Sequence, residues 1–147
     1  MQQGEQGNQR LQDFLTSELI ATIAVPITEA GEIHIASLVF WNCPAPLQFY
    51  FVSSRTSEKF ALLSHATVPA ACVVGTYNKT PATLQMRGTI KEIDHTTVPD
   101  VMQQYHNKRG NTHDNIENPD NALLCFTPTW ARLTEYKPDT VITFLEL

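Results

Sequence analysis

Hydrophobic positions along this chain change period several times, and each change marks an element. Between Gln9 and Glu18, Leu11, Phe14 and Leu15 recur at i, i+3 and i+4, which predicts a short amphipathic helix. Leu19 to Ile27 is dense in β-branched residues and predicts a strand, with Glu29-Ala30-Gly31-Glu32 as the turn after it. Ile33 to Trp41 is a second strand, apolar on both faces apart from His34 and Ser37, so it is expected to be covered on both sides. Pro44 and Pro46 break that run, and Leu47 to Ser53 is a third strand. Thr56 is placed to cap a helix over Ser57 to His65, with Phe60 and Leu63 on its inner face. Pro69 to Tyr77 and Pro81 to Asp94 are a fourth and a fifth strand, joined by a hairpin at Asn78-Lys79-Thr80. In the fifth, Leu84, Met86, Gly88 and Ile90 alternate with Gln85, Arg87, Thr89 and Lys91, so one face is wet. Thr97 is expected to cap a third helix on which Val98, Val101, Met102 and Tyr105 share a face. Lys108 to Asn121 is a long polar loop, of a length that is usually functional or mobile. Leu123 to Tyr136 and Thr140 to Leu145 end the chain as two strands.

Six to seven antiparallel strands with short flanking helices predict a mainly β (α+β) split barrel. No βαβ alternation with a glycine-rich turn is present, which excludes a Rossmann domain. The 147 residues make one domain over 9–147, preceded by a polar tail over 1–8 that is expected to be disordered. A chain of this length buries roughly 70 % of its unfolded surface and needs no disulfide or metal staple. Its net charge of −5 argues against a general nucleic-acid binder, so any anion site has to be built locally. Cys43, Cys72 and Cys125 show no zinc or CxxC spacing, and Cys72 and Cys125 read as buried thiols. The polar N-terminus does not look like a leader, and no apolar run approaches the roughly 20 residues of a membrane span. The expectation is a cytoplasmic protein with reduced thiols and neither a membrane nor a nucleic-acid partner.

The richest chemistry lies where the third strand runs into its helix, in Ser53-Ser54-Arg55-Thr56-Ser57-Glu58-Lys59. Hydroxyls and cations at a helix start suit a phosphate, because unpaired N–H groups and the helix dipole favour an anion there. The plainer alternative is a capped turn with Lys59 as a solvated helix residue. Elsewhere, Arg87 reads as a surface charge, His34 as a hydrogen-bonded core or interface residue with a direct chemical role as the alternative, and Trp130 as packing or interface with cofactor contact as the alternative. His106, Lys108, Arg109 and His113 cluster about the long loop, as a solvated segment or as a lid. The five histidines show no HExxH or HxH spacing, so no metal site is expected.

Taken in order, HIASLVF (34–40), FYFVSSRTSEKFALL (49–63) and LQMRGTIKEI (84–93) resemble the pyridoxamine 5′-phosphate oxidase-like family of FMN-binding split barrels. The likeness runs from about Leu11 to Leu145. It implies a homodimer with flavin at the subunit interface. It implies that Ser57 and Lys59 bind the phosphate and that Val52 and Ser53 end the strand beside the flavin. It further implies that Ser37, Leu38 and Val39 lie along the isoalloxazine ring and that Thr83 stands near it. Two departures matter. Glu58 occupies the position that is arginine in the vitamin B6 oxidases proper, leaving Arg55 to reach the phosphate instead. The chain also lacks their C-terminal extension, which argues against pyridoxamine phosphate oxidation itself. The implied activity is that of an FMN-dependent oxidoreductase acting on a small-molecule redox substrate, with NADH or NADPH as donor. The alternative is a non-catalytic protein that holds flavin, deazaflavin or haem, and a third option is a barrel without cofactor that serves as an interaction module.

Overall fold

A computed structural model of the chain describes residues 2–63, 66–75, 81–110 and 116–147, with side chains from residue 8 onward. Helix α1 (Gln2–Ser17) leads into β1 (Ile20–Pro26), β2 (Ile33–Val39), β3 (Trp41–Pro44) and β4 (Leu47–Ser54). A single helical turn, α2 (Phe60–Leu63), precedes β5 (Val68–Val74) and β6 (Ala82–Ile93); α3 (Pro99–Arg109), β7 (Asn121–Glu135) and β8 (Val141–Phe144) follow. The eight strands form one antiparallel sheet in the order β2-β1-β5-β6-β7-β4-β3, with β8 beside β7. This is the expected split barrel.

The strand expected over Ile33 to Trp41 is two strands. β2 pairs with β1, whereas β3 pairs with β4 at the other end of the sheet order. Only Phe40 separates them, so the chain turns a corner there and carries the sheet round on itself. Phe40 is fully buried at that corner, 5.5 Å from the Phe49 ring. β7 supplies the split: its first half pairs with β4 and its last four residues pair with β8, while β6 accompanies it throughout. Register shifts between Arg87 and Gly88, where β6 and β7 approach closely. A Cβ at Gly88 would collide with the Thr127 carbonyl oxygen and with Pro128 Cα, so only glycine fits.

The main core fills the curl of the sheet with residues such as Ile23, Phe49, Phe51, Leu84, Leu124 and Phe126, and Leu11, Phe14 and Leu15 of α1 close one end. A second cluster lies on the other face of β4 and of the first half of β7. Tyr50, Val52, Leu123 and Cys125 pack there against Met102 and Tyr105 of α3. β4 and β7 are therefore the strands covered on both sides, not β2. Ile33 and Ile35 of β2 are 56 % and 65 % exposed. The apolar double face of β2 marks an uncovered edge strand in this chain, which corrects the expectation of coverage.

Several boundaries move for local reasons. α1 starts at Gln2, so backbone expected to be a tail is helical; Gln and Glu have good intrinsic helix propensity. The Thr56 hydroxyl pairs with Ser54 Oγ at 2.8 Å rather than capping α2. Thr97 is likewise not the cap of α3: its hydroxyl donates to the Asp94 carbonyl, and Pro99 opens the helix at a position where no N–H is needed. α3 runs on to Arg109, which makes Lys108 and Arg109 helical rather than loop residues. The expected hairpin at 78–80, His65 and His113 lie outside the described residues.

Candidate functional site

The turn between β4 and α2 is held by its own polar groups. Ser57 N–H donates to the Ser54 carbonyl at 3.1 Å, Phe60 N–H to the Ser57 carbonyl at 3.1 Å, and Arg55 N–H to the Asp120 carbonyl at 2.7 Å. These bonds leave the Ser57 hydroxyl facing back along the turn. It accepts from Lys59 N–H at 3.4 Å and from Lys59 Nζ at 2.6 Å.

Lys59 is the unusual member. It is 5 % exposed, and burial lowers its ammonium pKa below the ordinary lysine value. The ion pairs among the described residues join Arg10 to Glu135, His34 to Glu58 and Arg55 to Glu92, and none of them includes Lys59. A buried ammonium costs several kcal/mol unless a counter-charge offsets it, and one neutral hydroxyl supplies little.

The neighbouring charges point elsewhere. Glu58, the residue expected to repel a phosphate, is exposed and sits 3.4 Å from His34 Nδ1, fastening the turn to β2. Arg55 pairs with Glu92 on β6 and donates from Nε to the Pro119 carbonyl at 3.2 Å, so its guanidinium is committed away from Lys59. With a four-residue α2, the helix-dipole part of the anion argument falls away. The buried lysine and its serine remain.

The other expected contacts divide. Ser37 is exposed on β2, and its Oγ lies 3.0 Å from Thr22 Oγ1. Leu38 packs against the main core and Val39 against the second cluster. Ser53 is buried next to the turn, while Val52 points its side chain under α3. Thr83 lies on β6, where its hydroxyl is 3.3 Å from Tyr136 OH. The turn thus brings together Ser57 and Lys59, with Ser53 buried near the end of β4 and β2 tied to the turn through His34. Cys72 and Cys125 are buried as expected, and burial pushes the Cys72 thiol up to about 12. Among the described residues no group of three His, Cys, Asp or Glu side chains is placed to hold a metal ion, and no helix is long and apolar enough to cross a membrane.

One array escapes a reading by sequence. Arg87 stacks on Trp130, 4.2 Å from its ring centroid, and Arg132 approaches the same ring at 5.9 Å. Arg87 and Trp130 are direct partners across β6 and β7, a register that depends on the irregularity at Gly88. Spacing along the chain carries no sign of it.

No protein-family model matches the sequence, and no curated protein matches it. Solved structures do. A protein related to general stress protein 26, of the pyridoxinephosphate oxidase family, from Clostridium acetobutylicum superposes with a TM-score of 0.67 at 16 % identity, over 96 % of both chains. ChuZ of Campylobacter jejuni matches at TM-score 0.75 and 13 % identity, over 95 % of this chain and 59 % of that one. A haem-binding protein from Mycobacterium smegmatis matches at TM-score 0.72 and 13 % identity, over 93 % of this chain and 57 % of that one. The chain spans nearly all of the first and less than two thirds of the other two. At these identities the likeness is one of architecture: the chain has the split-barrel fold found in the pyridoxinephosphate oxidase family.

Proposed function

We propose that this chain binds FMN through Ser57 and Lys59, as a homodimer, and serves as a flavin-dependent oxidoreductase for a small-molecule substrate. The observation that carries the reading is Lys59, a buried cation whose only hydrogen-bond acceptor among the described residues is the Ser57 hydroxyl at 2.6 Å. A phosphate monoester, with close to two negative charges, supplies the missing counter-charge through charge-assisted hydrogen bonds. The residues present fit that group, and the carboxylate of Glu58 lies 3.4 Å from His34 Nδ1 and makes no ion pair with Lys59 among the described residues. Bound flavin would supply two-electron redox chemistry, with NADH or NADPH as the donor to test first. The chain's part is to hold the phosphate at Lys59 and to lay the ring along β2.

Two copies meeting through β2 account for Ile33 and Ile35, which the single chain leaves in water. Ile35→Glu should shift the sedimentation profile from dimer to monomer. A wild-type chain that sediments as a monomer at micromolar concentration removes the dimer.

The direct test compares FMN with riboflavin, which has the same ring and no phosphate, by quenching of flavin fluorescence. FMN is expected to bind at least about tenfold more tightly, the value of a charged hydrogen bond. Equal affinity, or no binding of either, defeats the phosphate assignment. The haem-binding neighbour supports haem storage as the second reading. A Soret band in protein loaded with haemin, together with failure to bind FMN, would select it. Bleaching of bound flavin by NADH or NADPH under anaerobic conditions separates an enzyme from a carrier.

A further inference from the structure

At the end of the barrel that α1 closes, the chain encloses a cavity of about 500 Å³ that includes neither the β4–α2 corner nor the Arg87–Trp130 stack. Its walls are the Arg10–Gln12 segment of α1, the turn from Pro44 to Leu47 between β3 and β4, and the end of β8 with the residues after it. The depth of the cavity is hydrocarbon: Leu11, Leu47 and Leu133 are buried there, and Leu145 packs against the main core. The volume lies in the range of small-ligand sites, roughly 300–1,000 Å³. Leucines rather than aromatic rings make the floor, which suits an aliphatic chain.

The polar groups along the walls are donors that the described residues leave unused. Asn42 Nδ2 donates to Gln12 Oε1 at 3.0 Å, which fixes the Gln12 amide and leaves its Nε2 donors without a partner among the described residues. The Thr143 hydroxyl has no partner among them either. Arg10 stands at the solvent side, its side chain 63 % exposed, with Nη2 3.4 Å from Glu135 Oε1. That oxygen has no hydrogen-bond partner, so the ion pair is loose and the rest of the guanidinium fork remains for a ligand. Glu146, the carboxylate on the wall, is exposed, where water weakens its field. Donors of this kind match a head group that only accepts, and a carboxylate gains most because each bond to it is charge-assisted. An ammonium head would meet Arg10 and the Gln12 amide N–H groups with nothing to accept from it.

We propose that this cavity binds a medium-chain aliphatic carboxylate, with its tail among Leu11, Leu47 and Leu133 and its head at Arg10, Gln12 and Thr143. The site uses none of the residues of the phosphate corner and does not rest on the flavin reading.

Octanoate, octylamine and butyrate are the probes. The first two share a tail and differ in the charge of the head; the first and third share a head and differ in the tail. In ligand-observed NMR titrations of the full chain, octanoate should bind saturably and octylamine at least about tenfold more weakly. Butyrate, with four methylenes fewer to bury, should also bind at least about tenfold more weakly. Arg10→Gln, a change at an exposed side chain, should weaken octanoate about three- to tenfold with the far-UV circular dichroism unchanged. Thr143→Val, which keeps the shape and removes the hydroxyl, should weaken it about two- to threefold. Lys59→Met and Arg87→Ala should leave octanoate binding as it is. Absence of saturable octanoate binding, octylamine or butyrate binding as tightly as octanoate, or wild-type affinity in both Arg10→Gln and Thr143→Val overturns the proposal. A loss in Lys59→Met or Arg87→Ala as large as in Arg10→Gln also overturns it, because the carboxylate then sits at one of those other cations.

Discussion

Among the described residues, Lys59 is buried and Lys108 partly so, and the regions that hold them meet the cost in different ways. Lys108, on α3, places Nζ 3.0 Å from the Leu15 carbonyl and 3.7 Å from the centroid of the Phe40 ring. The last carbonyls of a helix lie at its negative end, so the Leu15 carbonyl, which also accepts from Glu18 N–H at 3.3 Å, favours a cation beside it. The ring face adds a second attraction. Lys59, at the β4–α2 turn, has the Ser57 hydroxyl and, among the described residues, no carboxylate. A cation whose partners the chain itself provides is a joint between elements. One left with a neutral hydroxyl is open to an anion from outside. That difference separates scaffold from site, and it can be broken experimentally.

The largest effect is expected at the joint. Phe40→Ala removes the ring under Lys108 and the corner where the chain passes from β2 to β3. It should cost about 3–5 kcal/mol in urea unfolding, as truncations of fully buried aromatics do. A loss below about 1 kcal/mol would mean that the corner repacks and that Lys108 is no joint. Next is Lys59→Met, which should weaken FMN binding by about 1.5–3 kcal/mol. Without flavin the same variant should be as stable as wild type or more so, because an uncompensated buried charge has been removed. Lys108→Met should gain less stability than Lys59→Met, because it gives up the helix-end contact while removing a charge that burial also disfavours. If both lysine variants change stability alike, the contrast between the two regions disappears.

The pattern of apolar residues told where strands run but not how each is partnered. β1, β5, β6, β7 and β8 fall within a few residues of where composition places them, and the wet face of β6 carries Gln85, Arg87 and Lys91 outward as alternation requires. The corner at Phe40 was hidden because the apolar run passes through it without a break, and sequence does not say when a strand changes neighbours. The same run suggested coverage for β2 because residues that await a partner look like residues that have one. At the candidate site, the hydroxyls and cations mark the whole run from Ser53 to Lys59, and only the family likeness singles out Ser57 and Lys59, since a Ser-x-Lys turn alone is common. Glu58 looked like an obstacle because its partner, His34, is distant in sequence. Lys108 looked like loop because it sits among polar residues, and its true partners belong to α1 and to Phe40.

The smallest effect is also the most selective, because it depends on the protonation of one joint. Burial lowers the Lys108 ammonium from the ordinary lysine value of 10.5 to about 8, against the opposing pull of the Glu18 carboxylate. The folded chain therefore releases this proton at a lower pH than the unfolded chain does. Between pH 8 and 10.5 the unfolded state holds more protons, so stability rises with pH across that window and Lys108 adds no slope below it. The ceiling is about 1.4 kcal/mol per pH unit, and partial exposure should hold the slope under that value. Other lysines, tyrosines and thiols titrate in the same range, so the informative quantity is a difference. The urea unfolding free energy of wild type minus that of Lys108→Met, followed from pH 7 to 10, should be level to pH 8 and then climb. A difference that stays level throughout would mean that the Leu15 carbonyl and the Phe40 ring already offset the desolvation in full. Lys108 would then be an even more complete counterpart to Lys59, whose own deficit only an anion can fill.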